Sequence, residues 1–557
     1  MNGLTILIIT IVALTIAYLL YGRFLARVWG IDTERKTPAH EFEDGVEYVP
    51  TTPAVTFGYE FASIAGAGPI TGPIIGAMFG WLPALLWLLF GSVFFGAVHD
   101  FVALYASVKN KGKSIGYLIE LYVGKRVKRL FLIFVWLFSI LVTAAFADIV
   151  AGTLAGFDAE GINIATNASV ASTTMLSIPA AIVLGFLIHR RKASDLASGI
   201  IAIDLLIGCI VLGIFFPVFM TKAAWLYLIF CYVFVSSVIP VWLLGQPRNY
   251  LNSFLLVAMI FSAFVGVLFI NPKIELPAFI AFSVNGSYLF PVLFVTIACG
   301  AISGLHSLAV TGTTSKQISN EKYMLPVSYG SMLVETLVAV LALIAVGSLA
   351  YGGVMPKETP PVIFATAVSG FLHELGLPLQ ISFTIVSLAV SSFILTTLDV
   401  VARLGRLSFH EIFSTENEAG AVAGPIIRIM KTKSAAAVFT LVPACLLAVL
   451  GYQNIWVLFG TSNQLLAALT LIACTMFLKK TGRRILMVLI PAIIMMLITF
   501  SSLILNIKDR VILILHGNVD ATVPGLQMGI AVLLLILGIL VTIACASKLR
   551  EKNDPSI

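Results

Sequence analysis

The sequence predicts an all-α polytopic membrane protein, and three observations support that prediction. Of its 557 residues, 59% are hydrophobic and only 11% are charged, a composition that soluble globular domains do not have. Apolar runs of about 20 residues recur from Leu4 to Ala546, each long enough to cross a hydrocarbon core of about 30 Å. Two of these runs are interrupted by glycine or proline, where a continuous helix is weakened.

Hydropathy divides the chain into about fifteen transmembrane helices. If the N-terminus lies outside, the outward segments carry only a small share of the 34 Lys and Arg residues. These are Lys222, Lys273, Lys357, Lys508 and Arg510. Cytoplasmic loops are enriched in Lys and Arg, so this split supports the number of spans and predicts a cytoplasmic C-terminus. The predicted spans are 4–22, 58–80, 82–107, 129–151, 175–189, 197–217, 224–244, 253–270, 288–312, 328–351, 379–399, 435–451, 454–477, 485–506 and 526–546.

The segments between the spans leave no room for a soluble domain. The longest loops, 23–57, 352–378 and 400–434, are too short for an ordinary independent core. The first apolar run has no cleavage pattern and reads as a retained span. Basic residues are spread over short loops, which indicates orientation in a lipid bilayer rather than binding of nucleic acid. The six cysteines lie in apolar stretches and are predicted to be small buried side chains.

The two interrupted runs carry the strongest functional signal. The first is GAGPITGPIIGAMFG at 66–80, and the second is ACGAISGLHSLAVTGTTSKQ at 298–317. By the alternation of spans they run antiparallel, and each begins a set of seven spans, which indicates inverted-topology repeats with two broken helices. Unwound backbone there would offer N–H and C=O groups to a substrate. The alternative is helix packing, since Gly68, Gly72, Gly76 and Gly80 are spaced by four.

The predicted organisation follows from these repeats. Residues 1–57 form a helix that begins on the outer side of the membrane and a cytoplasmic loop, and residues 547–557 form a cytoplasmic tail. The first repeat covers 58–270 and the second covers 288–546.

Ionisable residues inside the spans are candidates for ion coupling, because a charge is costly there. His99 and Asp100 point about 100° apart on a helix, so we do not expect them to be partners. His306 follows the second break and is suited to carry a proton, although either histidine could instead form a structural hydrogen bond. The spans contain Glu60, His99, Asp100, Asp148, Asp204, His306, Glu335 and Asp399.

Several polar groups have a structural alternative. Asp399 with Arg403 at i+4 favours an ion pair at a helix end, and Glu60 could satisfy the first turn of its helix. The hydroxyls of SSFILTTLD could ligate a small cation or bond their own i−4 carbonyls, which is commoner. These hydroxyls belong to Ser391, Ser392, Thr396 and Thr397.

Motifs of the commonest enzyme and channel classes are absent from the sequence. It has no GxxxxGK[ST] phosphate loop, no HExxH, no GxSxG and no TVGYG-like filter. We therefore predict neither an enzyme nor an ATP-driven pump, and we predict no cofactor and no metal site.

Several long blocks resemble the carbon starvation protein A (CstA) family of prokaryotic transporters. They are GAGPITGPIIGAMFGWLPALLWLLFGSVFFGAVHDF, VWLLGQPRNYLNSFLL, ACGAISGLHSLAVTGTTSKQ, TTLDVVARLGRLSFHE and LFGTSNQLLAAL, in order from about 60 to 475. The resemblance implies a LeuT-like fold in the plasma membrane and a secondary active transporter acting during carbon starvation. Its implied substrate is a peptide or a small carboxylate such as pyruvate, and its implied coupling cation is the proton.

The motif positions of the family imply a site at the two breaks. The implied substrate-binding residues are Gly66, Gly68, Pro69, Gly72, Pro73, Gly300, Ser303, Gly304, His306 and Ser307. The candidates for ion coupling are His99, Asp100, Asp148, Glu335, Ser391, Ser392, Thr396 and Asp399, and Asn463 lies in a later block. The alternatives are a membrane nutrient sensor that binds without transport, and an intramembrane enzyme using Ser303 with His306.

Overall fold

The computed structural model describes residues 1–45, 47–158, 160–191, 195–240, 243–413, 429–430, 432–516 and 521–550. These residues are helical almost throughout, as the apolar runs predict. A short antiparallel hairpin pairs Ser283–Val284 with Ser287–Tyr288. The all-α prediction is confirmed.

Eleven helices of the described part of the chain are long and apolar enough to cross a membrane, or twelve with the bent pair that forms the first break. The chain is therefore a multi-pass membrane protein. The predicted spans 224–244, 288–312 and 435–451 coincide with shorter helices. The eleven helices are Gly3–Trp29, Trp81–Lys109, Lys125–Leu154, Ala165–Leu187, Ser198–Phe215, Gly245–Ile270, Glu321–Leu349, Leu379–Phe413, Tyr452–Lys480, Leu486–Leu515 and Thr522–Leu549. The shorter helices are Pro38–Glu41, Ile115–Tyr122, Lys222–Val238, Leu289–Thr296, Gly304–Gly312, Pro360–Glu374 and Lys433–Ala448.

The chain divides into two compact units, and each unit is assembled from separate stretches of sequence. Unit 1 consists of Met1–Thr5, Trp136–Leu276 and Ile344–Ile455. Unit 2 consists of Ile6–Val135, Pro277–Leu343 and Trp456–Ile557.

Unit 1 is organised around the helix Leu379–Phe413. Its side chains from Ser382 to Asp399 are mostly buried, because neighbouring helices cover it on several sides. Glycine permits one of these contacts: a Cβ on Gly405 would lie 2.7 Å from the Thr440 side chain and 2.9 Å from that of Ser139. The helices in contact with it are Ala165–Arg191, Lys222–Val238, Gly245–Ile270, Pro360–Glu374 and Lys433–Ala448.

Unit 2 contains the first broken helix. The helix Pro53–Ile64 is capped at its C-terminal end by Ala65. After a non-helical stretch, Gly68–Phe79 continues at an angle of 49° to it. The bend follows from the sequence, since Pro69 has no N–H to donate to the preceding turn. At its other end the segment turns at Gly80, whose φ of 108° favours glycine.

Unit 2 also contains the second broken helix, Leu289–Thr296 followed by Gly304–Gly312. Residues 297–303 between them are not helical. Beyond this segment, the buried Glu321 receives hydrogen bonds from Lys109 Nζ at 2.6 and 2.8 Å, so the ends of Trp81–Lys109 and Glu321–Leu349 are joined by an ion pair.

Candidate coupling and substrate site

A chain of ionisable side chains lies in unit 2, centred on Asp100. Its Oδ1 is 2.8 Å from Nδ1 of His99, and its Oδ2 is 2.9 Å from Nδ1 of His306. All three residues are fully buried. Because an ionised carboxylate only accepts hydrogen bonds, each of the two Nδ1 atoms donates to it in that state. The prediction that His99 and Asp100 are not partners was therefore wrong.

The geometry explains that error. Two neighbouring Cβ atoms on a helix diverge by about 100°, but the imidazole and the carboxylate extend beyond them and turn back toward each other. The helix that carries them, Ala97–Lys109, follows a π-helical turn at Ser92–Gly96. Helical rotation alone does not decide contacts between adjacent long polar side chains.

Glu335 extends the chain on the other side of His306. Its Oε2 lies 3.3 Å from Nε2 of His306, and both side chains are fully buried. This contact is an ion-pair distance rather than a hydrogen bond, and neither carboxylate oxygen of Glu335 has a hydrogen-bond partner among the described residues. The order of contacts is therefore His99, Asp100, His306 and Glu335, which we name the His–Asp chain.

Glu60 is a further buried acid in unit 2. It lies in the second half of Pro53–Ile64, and its Oε2 accepts a hydrogen bond from the hydroxyl of Thr314, beyond the second break. The alternative that Glu60 satisfies the first turn of its helix is wrong, because its hydrogen bond is made to a residue 254 positions away. With Asp100 and Glu335 it makes three acids and two imidazoles buried in one unit.

Such a set of groups does not ionise independently. Three carboxylates would carry three negative charges, and two imidazoles compensate at most two of them. Isolated buried charges are costly, so the protons redistribute until the net charge is small. A buried set of this composition is suited to take up or release a proton.

The two breaks pack against each other within unit 2. A Cβ on Gly68 would lie 2.2 Å from Sγ of Cys299, and one on Gly72 would lie 2.8 Å from the carbonyl oxygen of Thr296. Glycine is therefore needed for this close approach, as the packing alternative states. Both breaks exist, and glycine also serves packing at them.

The unwound stretches are shorter than the predicted site. Among the predicted substrate residues only Gly66, Gly300 and Ser303 are non-helical. The others belong to Gly68–Gly76 or to Gly304–Gly312. The helix resumes early because Pro69 occupies its N-terminal turn, where a missing N–H costs nothing. The helical ones are Gly68, Pro69, Gly72, Pro73, Gly304, His306 and Ser307.

Asn463, in the block LFGTSNQLLAAL, contacts the second break although it is not among the predicted site residues. Its Oδ1 accepts a hydrogen bond from the backbone N–H of Leu305 at 3.1 Å, and its Nδ2 donates to Oγ of Ser303 at 3.1 Å. It thereby satisfies an otherwise orphaned donor at the start of Gly304–Gly312. Because Ser303 pairs with Asn463 and His306 pairs with Asp100, the structure does not form the Ser303–His306 pair of the enzyme alternative.

The remaining coupling candidates lie in unit 1. Asp148 is bound by Nζ of Lys222 at 2.7 Å and by the backbone N–H of Tyr452 at 2.9 Å, so it ties helix ends together. Ser391 donates to the carbonyl of Ser387 and Thr396 to that of Ser392, each four residues earlier. These hydroxyls follow the commoner alternative.

Asp399 does not pair with Arg403. Its carboxylate accepts hydrogen bonds from Arg248, Tyr232 and Ser236 at 2.7–2.8 Å, while Arg403 donates to the backbone carbonyls of Ser236 and Ile239. The predicted i+4 ion pair was wrong, because a closer arginine arrives from another helix. Arg248 lies inside the quoted block VWLLGQPRNYLNSFLL, and its charge in an apolar context was the signal for it.

An apolar cavity of about 380 Å³ lies elsewhere in unit 2. None of the predicted site residues lines it. Its only polar side chains are those of Thr15 and Tyr18, so its lining suits a hydrocarbon better than a charged solute.

Comparison with known proteins identifies the family. The family model described as carbon starvation protein CstA matches residues 2–357 and 352–502. The chain belongs to the CstA family. Peptide transporter CstA of Bacillus subtilis is 33% identical to this CstA family member, over 100% of this chain and 99% of that protein. Peptide transporter CstA of Escherichia coli is 30% identical over 87% and 78% of the two chains.

A further relative of this CstA family member is the pyruvate/proton symporter BtsT of Escherichia coli, 34% identical over 67% of this chain and 53% of that protein. Since these relatives are transporters, the chain is a transporter and not an enzyme. A solved structure of a manganese transporter from Eremococcus coleocola has a TM-score of 0.52 at 11% identity, covering 89% of this chain and 95% of that one. At that identity the likeness shows the fold alone.

Proposed function

We propose that this CstA family member is a proton-coupled secondary transporter that imports a peptide or a small carboxylate such as pyruvate by alternating access. The observation that carries the proposal is the buried chain His99, Asp100, His306 and Glu335. Its groups are of the kind that carry protons, and it joins the helix after the second break to two other helices. Relatives named peptide transporter and pyruvate/proton symporter supply the two substrate candidates.

In this proposal the proton acts by changing contacts of His306. When Asp100 is ionised, it accepts hydrogen bonds from both imidazoles. When it takes up a proton, it accepts weaker hydrogen bonds and loses its charge attraction for an imidazolium. The helix Gly304–Gly312 is then held less firmly to Ala97–Lys109. Substrate bound beside the breaks, at Gly66, Gly300 and Ser303, would respond to that movement.

The finer architecture belongs to the same proposal. We infer about fifteen spans, with LeuT-like inverted repeats at 58–270 and 288–546 and with the N-terminus outside. The antiparallel order of the two breaks and the distribution of Lys and Arg support this arrangement. Cysteine replacements in predicted loops, probed with a membrane-impermeant maleimide in whole cells, test the orientation. Labelling of Lys357→Cys but not of Lys480→Cys is the expected result, and the reverse pattern would refute it.

Uptake into proteoliposomes tests the coupling. The purified protein is reconstituted, and labelled pyruvate and labelled dipeptide are offered with and without an imposed pH gradient. Asp100→Asn, which removes the charge and keeps the shape, is expected to abolish accumulation driven by the gradient. It should leave exchange of labelled for unlabelled substrate measurable, because exchange needs no net proton movement.

The matched control is Asp148→Asn, which removes a buried acid bound to Lys222 in unit 1. Its accumulation should depend on the gradient as in the wild type, even if less protein folds. Equal loss of accumulation and exchange in Asp100→Asn, at normal protein levels, would show that Asp100 holds the fold rather than carrying the proton.

A further inference from the structure

Arg248 presents an unused hydrogen-bonding edge inside unit 1. It lies in the first turn of Gly245–Ile270 and is fully buried. Its Nη1 donates to Oδ2 of Asp399 at 2.8 Å and contacts the hydroxyl oxygen of Tyr232. Its Nε and Nη2 have no hydrogen-bond partner among the described residues. Guanidinium donors that are buried and unpaired cost free energy, and a guanidinium does not lose its charge in proteins.

The neighbouring groups hold this guanidinium in place and leave its other edge free. Asp399 already accepts hydrogen bonds from Tyr232 and Ser236, each at 2.7 Å, in addition to Arg248. The guanidinium also lies 5.0 Å from the centroid of the Tyr232 ring. Asp399 is thus occupied by three donors, and it meets Arg248 at Nη1, so the edge formed by Nε and Nη2 stays unpaired among the described residues.

The charges at this position do not balance. Arg403 donates to the backbone carbonyls of Ser236 and Ile239, which carry no net charge. Asp399 compensates the charge of Arg248, whereas the described contacts bring no carboxylate to Arg403, four residues further along the helix of Asp399. One positive charge therefore remains in this region, and an anionic ligand would compensate it. The start of a helix, where Arg248 lies, also favours an anion.

We propose that the Nε–Nη2 edge of Arg248 binds a carboxylate group of the transported solute at a second position, in unit 1, in addition to the position beside the breaks in unit 2. Two parallel N–H donors on one edge of a guanidinium match the two oxygens of a carboxylate, which gives a charge-assisted bidentate contact. The burial of Arg248 favours a small solute that enters the protein over a lipid headgroup at its surface. This inference rests on the proposed function and goes beyond it: pyruvate and the C-terminus of a peptide share the carboxylate that Arg248 would hold.

Calorimetric titration of the purified full-length protein, without a pH gradient, tests the site. The ligands are pyruvate and glycylglycine, and their neutral counterparts are pyruvamide and glycylglycinamide. The wild type is expected to bind at least one carboxylate and to bind its amide at least about 10-fold more weakly, since one charge-assisted contact is lost. Arg248→Lys keeps the charge beside Asp399 but loses the two-donor edge, so its Kd for the carboxylate should rise at least about 10-fold.

Two further variants separate binding from folding. Arg248→Gln combined with Asp399→Asn removes both charges and leaves neither buried without its partner, so it should fold and fail to distinguish carboxylate from amide. Lys222→Gln removes the cation of another ion pair in unit 1 and should bind like the wild type.

The outcomes separate this inference from the function on which it rests. If the wild type binds the carboxylates and Arg248→Lys binds them equally well, the Arg248 site is overturned while carboxylate transport stands. If the wild type binds neither carboxylate nor amide, the substrate class itself is wrong, and both proposals fall. Loss of carboxylate binding in the Arg248 variants, with wild-type affinity in Lys222→Gln, supports the site.

Discussion

Replacement of Gly304 by alanine distinguishes a backbone kept open for substrate from a close contact between helices. A Cβ at this position would lie 2.4 Å from the carbonyl oxygen of Asn463, 2.5 Å from Cβ of Leu466 and 2.6 Å from the backbone nitrogen of Ala467. Two of these atoms are backbone of Tyr452–Lys480, so they give way only if a whole helix moves. Overpacking of this kind costs about 1–3 kcal/mol.

The gain in helix propensity does not offset this cost. Alanine is favoured over glycine by up to about 1 kcal/mol inside a helix, but Gly304 is the first residue of Gly304–Gly312. We therefore expect Gly304→Ala to lower the melting temperature of the purified protein. The matched control is Gly312→Ala at the other end of the same helix, where nothing lies within 4 Å of the added methyl group. Its melting temperature should stay equal or rise.

Substrate affinity decides between the two accounts of Gly304. If the glycine serves packing, the folded fraction of Gly304→Ala binds labelled substrate with nearly unchanged affinity. Melting temperature and binding are measured on the same purified sample. A variant as stable as the wild type that no longer binds would refute the packing account and restore Gly304 as an open backbone ligand.

Three other substitutions test contacts within unit 2. Gly68→Ala should lower the melting temperature by collision with Cys299, and Cys299→Gly in the same chain should recover part of the loss, with a coupling of about 0.5–3 kcal/mol; additive effects would exclude the contact. Glu321→Gln should lower the free energy of unfolding by about 3–5 kcal/mol, because it leaves Lys109 buried without its partner. Adding Lys109→Met should restore most of this loss in a denaturation assay. Asn463→Ala should lower the free energy of unfolding by about 1–3 kcal/mol, because it leaves the backbone N–H of Leu305 buried without its acceptor. If Asn463→Gln instead keeps full stability, the amide is not held in one position.

Sequence patterns predicted the parts of this protein that depend on composition and periodicity. Apolar runs gave the long helices, and Gly-Pro steps gave the first break, because both act through local backbone physics. The pairing of His306 with Asp100 joins residues 206 positions apart. The sequence identified both residues as candidates but did not predict that they contact each other. Asp399 shows this limit most clearly, because its carboxylate binds Arg248, 151 positions away, and not the arginine at i+4.

The amide of Asn463 gives the second broken helix one attachment that does not titrate. Its hydrogen bonds to Leu305 and Ser303 persist over the whole range of pH at which imidazoles and carboxylates change charge. One residue further along, His306 is bound to the carboxylate of Asp100, and the strength of that hydrogen bond depends on protonation. The start of Gly304–Gly312 therefore has one contact that stays constant beside one that depends on protonation, and in the proposed mechanism a proton at Asp100 changes only the second.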